Sequence, residues 1–179
     1  MSETSGFRLW SMRAAFVGLS LFILLGNLLP LQTMPRGWAG PDLLLCFGMA
    51  WSVRRPDYVP MVLLGALFLL GDLLLSRPPG LAAALMLIAC FDLQSRMRRL
   101  RDAGFAAEWA RACVLIVGVA LAHRLILSLL LVPTAALSLT VFQVIFTALF
   151  YPVVVALSAI LFGVRIVAPG DLDSYGQRL

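Results

Sequence analysis

"GALFLLGDLLLSRPPG", residues 65–80, is apolar for almost its whole length and yet carries an aspartate, Asp72, directly after a glycine. A carboxylate in hydrocarbon is costly unless it is neutralised, paired or close to water. Whether this run is a buried soluble helix or a membrane segment decides the fold, and the chain around it answers. Of its 179 residues 61% are hydrophobic and 13% charged, with mean hydropathy +0.97, far above the apolar share of an ordinary soluble domain. The sequence predicts an integral membrane protein.

Several runs approach the roughly 20 apolar residues that a helix needs to cross about 30 Å of hydrocarbon, and the alternation of barrel strands is missing. The predicted fold is therefore an all-α bundle in a single domain, 1–179, with six transmembrane segments at about 14–31, 41–53, 58–76, 80–93, 112–132 and 137–162. The second and fourth are short for a crossing, so four spans with two re-entrant pieces is the alternative. The first run follows Arg8 and Arg13 as a signal peptide would, but it is long and lacks a small-x-small cleavage site, so it is read as retained.

Arginine placement arbitrates the topology, because short cytoplasmic loops retain Arg. With six spans and both termini inside, the cytoplasmic side holds Arg8, Arg13, Arg54, Arg55, Arg96, Arg98, Arg99, Arg101, Arg111, Arg165 and Arg178. The outer loops hold Arg36 and Arg77, and Arg124 falls within the fifth span. The net charge of +5 follows from this placement, so no nucleic-acid partner is expected. The expected topology is multi-pass, with both termini cytoplasmic.

In this topology Asp72 sits near the outer end of the third span, and "LAHRLIL" puts His123 and Arg124 just past the midplane of the fifth. Asp42 opens the second span in the same outer half. Asp72 with Arg124 is the preferred intramembrane pair and Asp42 with Arg124 the second choice. A polar clamp between helices is the leading reading, beside a substrate or proton path and simple snorkelling to water. His123 is read as a packing histidine rather than a proton relay. Asp57 and Asp92, beside arginines, are read as solvated ion pairs.

The inner stretch "QSRMRRLRDAGFAAEWAR", residues 94–111, places Met97, Leu100, Phe105 and Trp109 near one helical face among arginines. It is either a basic topogenic loop or a helix on an anionic membrane surface, contacting lipid or a partner through Arg96, Arg98, Arg99, Arg101 and Trp109. Cys46, Cys90 and Cys113 lack metal or disulfide spacing and are read as small buried hydrophobes. Small residues at helical spacing, such as Gly118 with Ala122, are read as close-packing positions. No catalytic set, phosphate-cradling loop or metal motif is present, so neither enzyme activity nor a cofactor is expected.

From Pro41 to Leu85, "PDLLLCFGMAWSVRRPDYVP" leads into "GALFLLGDLLLSRPPGLAAAL". This order resembles the rod shape-determining MreD family: a Pro-Asp start, a small and aromatic segment ending in a basic Arg-Pro turn, then a glycine-rich span with Gly-Asp before a Pro-Gly turn. The corresponding residues are Pro41 and Asp42, Trp51 with Arg54, Arg55 and Pro56, Gly65, Gly71 and Asp72, and Pro79 with Gly80. The resemblance implies a non-enzymatic membrane component of the cell-elongation machinery. Such a component binds MreC and helps couple MreB filaments to wall synthesis by RodA and its partner transpeptidase. It also implies a fold similar to the substrate-binding membrane subunits of energy-coupling-factor transporters. A small-molecule-binding transporter subunit is the competing expectation.

Overall fold

The computed structural model describes residues 3–29, 39–99 and 104–163. Among them are six helices and no strand: α1 Glu3–Leu28, α2 Leu43–Arg54, α3 Met61–Leu74, α4 Leu81–Arg99, α5 Phe105–Leu129 and α6 Leu137–Phe162. They alternate in direction. Asp42 meets Thr147 and Trp51 meets Ser158, so α2 runs parallel to α6. Glu108 meets Tyr151 and Arg124 meets Thr140, so α5 runs against α6. The upper end is taken here as the one where α2, α4 and α6 begin, and the lower end as the one where α3 and α5 begin.

Three helices are long and apolar enough to cross a membrane, at Gly6–Leu28, Phe105–Leu129 and Leu137–Phe162. The surface agrees with an apolar surround: Phe22, Leu125, Leu131 and Ile160 stand exposed on α1, α5, the end of α5 and α6, a distribution that water would not tolerate over so wide an area. The 12-residue α2 is the opposite case. Cys46, Met49, Ala50, Trp51 and Ser52 are fully enclosed, which is why its sequence reads as an uninterrupted apolar run without an amphipathic period.

The core is tightest around α2. Phe16, Phe47 and Trp51 lie with ring centroids 4.9, 5.1 and 5.4 Å apart, and Phe162 meets Trp51 edge-on at 5.5 Å, so one aromatic cluster joins α1, α2 and α6 at favourable ring geometries. Gly48 lets α3 approach, since a Cβ there would lie 2.8 Å from the Phe68 ring. Gly71 does the same for α1, where Leu24 would be 3.2 Å away. Gly118, by contrast, faces open space, so the close packing expected at that position is not found.

The helix bounds differ from the predicted runs where hydropathy and hydrogen bonding part company. α1 starts upstream of residue 14, α5 starts at Phe105 rather than 112, and α4 continues to Arg99 through Asp92, Arg96 and Arg98. Arginine and glutamate are good helix formers, so the backbone ladder runs on after the apolar stretch has ended. The inner stretch 94–111 is consequently no single surface helix: its first part completes α4, its last part opens α5, and Gly104 is the N-cap of α5.

Two helices end without the glycine expected at such a turn. After α3, Ser76 has φ +53° while its N–H reaches Leu73 O and the Arg77 N–H reaches Asp72 O. After α5, Leu131 has φ +55° and the same pair of bonds runs from Leu131 to Ser128 and from Val132 to Leu127. Both are Schellman turns with a side chain in left-handed backbone, at about 1 kcal/mol each.

Candidate functional site

Polar side chains gather at the two ends of the bundle. At the lower end, Arg54 closes α2 and Glu108 lies in the first turn of α5. Arg54 Nη1 and Nη2 donate to the two Glu108 carboxylate oxygens at 2.7 and 3.2 Å, and Tyr151 Oη of α6 donates to Glu108 Oε1. Glu108 is 1% exposed, and Arg54 and Tyr151 are buried with it. The planar guanidinium fork matches the carboxylate, and Tyr151 engages the remaining acceptor capacity. This group ties α2, α5 and α6 together. Beside it, Asp92 takes Arg96 at 2.9 Å and Arg111 at 2.7 Å, joining α4 to α5 near solvent, as expected for that carboxylate. Arg13 donates to Asp57 O at 3.0 Å and holds α1 against the α2–α3 turn.

The buried Arg54, Glu108 and Tyr151 group was not foreseen. Arg54 reads as a loop arginine, and Glu108 lies ahead of the apolar run 112–132 that reads as the fifth span. The usable signal is that FAAEWARA, 105–112, has helical composition throughout, which carries the helix back past Glu108 and puts its carboxylate on a packed face.

Trp109, expected at a lipid or partner contact, also makes a bond inside the protein. Pro152 stands inside α6 and has no N–H for the carbonyl four residues earlier, Ala148 O. Trp109 Nε1 donates to that oxygen at 2.9 Å. Its indole therefore satisfies an orphaned backbone acceptor of α6 while remaining 37% exposed on the bundle surface. Arg96 is held by Asp92, Arg98 and Arg99 fall in the last turns of α4, and Arg101 lies outside the described residues.

At the upper end the expected ion pair is replaced by two helix caps. Asp72, 2% exposed, does not meet Arg124. Its Oδ2 accepts from Gly80 N and Ala83 N at 3.0 Å each, the orphan donors at the start of α4. Gly80 has no side chain with which to cap the helix, so α3 supplies the carboxylate to its neighbour, at the positive end of the α4 dipole. Asp42 does not meet Arg124 either. Its Oδ1 caps α2 through Leu45 N at 3.1 Å, and its own N–H donates to Thr147 Oγ1 at 2.9 Å. Arg124 instead binds the α5–α6 connection, through Ala135 O at 2.8 Å and Thr140 Oγ1 at 3.2 Å. A carboxylate facing several backbone N–H groups is stabilised without a cation, which is why an intramembrane Asp and Arg need not find one another.

Asp42, His123 and Arg124 line one cavity of about 210 Å³ at this end, and Arg77 lines it too. An adjoining cavity of about 280 Å³ reaches Asp42, Asp72 and Arg77. His123 Nε2 is buried without a hydrogen-bond partner among the described residues. Three of the four residues expected to form a clamp thus share a chamber instead of bonding to one another, and Asp72 borders its neighbour. Cys46 and Cys90 are buried and Cys113 partly so, all three unbridged. Among the described residues no group of three or more His, Cys, Asp or Glu side chains is placed to hold a metal ion.

Comparison with protein-family models, with curated proteins and with solved structures finds no match to this chain. Function is therefore argued from the site itself.

Proposed function

We propose that this chain is a non-enzymatic inner-membrane scaffold of the bacterial cell-elongation complex. In this reading it crosses the membrane six times with both termini cytoplasmic, binds MreC, and supports rod shape and lateral peptidoglycan synthesis. MreB, RodA and its transpeptidase are its indirect partners. One observation carries the reading: the residues behind the resemblance serve the bundle's own architecture. Asp42 and Asp72 cap helices, Arg54 holds Glu108, and Gly71 admits Leu24. What remains for another protein is lateral apolar helix surface, as on α1, where Phe7, Trp10 and Phe22 stand exposed, and such surface suits association with a membrane helix through packing.

The upper cavity favours a second reading, a small-molecule-binding subunit of a transporter of the energy-coupling-factor type, because concave sites with a few convergent polar groups are where ligands bind. Controlled depletion of the protein in its native cells, with labelling of new wall, separates the two. Swelling of rods into spheres with delocalised wall insertion supports the scaffold. Retention of shape together with a nutrient requirement replaces it with the transporter subunit.

A further inference from the structure

The upper cavity exists because α2 is short. The Asp42 N–H meets Thr147 Oγ1, so α2 begins level with a residue well inside α6, about 15 Å below the α6 start at Leu137. The longer α5 and α6 wall the space above the α2 N-terminus, and the α3–α4 and α5–α6 turns border it.

The charges around that space are unevenly matched. The carboxylates are Asp42 and Asp72, and each is engaged by the backbone N–H groups of a helix start. The cations are Arg77 and Arg124, joined by the imidazole of His123. Arg77 borders both cavities and has no ion pair or side-chain hydrogen bond among the described residues. Arg124 uses Nη1 for Ala135 O and Thr140 Oγ1, and no bond to the other nitrogens of its fork is found among the described residues. His123 Nε2 is buried and has no partner among the described residues. Arg77 directly follows Ser76, and the turn gripped by Arg124 follows Leu131, the two side-chain-bearing residues in left-handed backbone. Strained backbone of this kind concentrates where a ligand is clamped.

We propose that this chamber is a binding site for a phosphate-bearing anion, gripped by Arg77 and Arg124 with His123 as a third contact. Guanidinium forks match phosphate oxygens in geometry and charge, and among the described residues Arg77 and the remaining nitrogens of the Arg124 fork are donors without a protein acceptor. Below them Met86, Ile116 and Val119 make an apolar floor. A basic pocket between membrane helices with such a floor takes either a lipid headgroup or a soluble phosphate ester. The inference is independent of the scaffold reading, since it rests on the cavity alone.

The test uses the full chain in nanodiscs of phosphatidylcholine. In one arm phosphatidylglycerol is introduced and bound lipid is counted by native mass spectrometry; in the other sn-glycerol 3-phosphate is titrated and heat is read by calorimetry. Saturable binding is expected in one of them, which identifies the source. Arg77→Gln is expected to weaken it roughly ten- to hundredfold, Arg77→Lys to restore part of it, and Arg96→Gln at the lower end to leave it within about twofold. His123→Ala removes no hydrogen bond found among the described residues and reads the same site if Arg77→Gln does not fold. Absence of binding in both arms overturns the proposal. So does undiminished binding by the folded variants, or an equal loss in Arg96→Gln, which would mark general attraction to basic surface.

Discussion

The two ends of the bundle hold similar side chains in opposite states. At the lower end Arg54, Glu108 and Tyr151 close on one another and exclude solvent. At the upper end Asp42 and Asp72 turn to backbone N–H groups, Arg77 and His123 line a cavity, and His123 Nε2 is buried without a partner among the described residues. The difference follows from what each carboxylate can reach. Glu108, one turn into α5, lies beside the C-terminal end of α2, where a cation is favoured by the helix dipole. Asp42 and Asp72 lie beside helix starts, where the N–H groups themselves act as the positive partner. Paired charge makes the lower end a clamp, and unpaired charge makes the upper end a candidate site.

The largest test of this contrast is Glu108→Leu, which leaves the Arg54 guanidinium buried without its carboxylate. A loss of about 3–5 kcal/mol is expected in reversible unfolding from mixed micelles. Adding Arg54→Met should recover much of it, because the stranded charge is then gone. Equal losses in the single and double variants would mean that the group is not a coupled clamp.

At the upper end Asp72→Leu strands the Gly80 and Ala83 N–H groups and should cost about 1–3 kcal/mol, with Asp72→Asn closer to the parent because its carbonyl oxygen still accepts. Combined with Arg124→Leu, the two effects should add to within about 0.5 kcal/mol, as for side chains without a shared partner. A coupling well above that would restore the ion pair that the sequence suggested.

The Trp109 contact makes a smaller and more specific prediction. Trp109→Phe is expected to cost about 1 kcal/mol by leaving Ala148 O without a donor. In a Pro152→Ala background, where residue 152 supplies its own N–H to that carbonyl, the cost should shrink toward zero. An unchanged cost would assign the role of Trp109 to ring packing alone. Smallest of all is Arg77→Gln, expected within about 0.5 kcal/mol of the parent in stability, because Arg77 holds nothing in place among the described residues. A marked destabilisation would show that the upper end is a clamp as well.

Much of the architecture was legible in the sequence. Apolar runs interrupted by arginine and proline, some of them short for a crossing, located all six helices, and the sixth matches its run from Leu137 to Phe162. Hydropathy reports transfer to lipid, however, and not the end of a hydrogen-bond ladder. The extensions of α1, α4 and α5 into charged sequence were therefore missed, and Glu108 with them. The Schellman turns at Ser76 and Leu131 were also hidden, since neither residue is the glycine that signals a left-handed cap.

By itself the sequence determined the fold class, the arginine distribution and the list of ionisable residues inside apolar stretches, all of which follow from local composition and the cost of charge in hydrocarbon. Only the tertiary structure decided the partners. Asp72 and Arg124 share one end of the bundle, yet Gly80 and Ala83 reach Asp72 while Ala135 and Thr140 reach Arg124. Arg54 and Glu108 meet across α2 and α5, 54 residues apart. Proximity in a folded bundle depends on helix lengths, offsets and turns, and these place a donor at an acceptor with a precision that spacing along one helix does not contain.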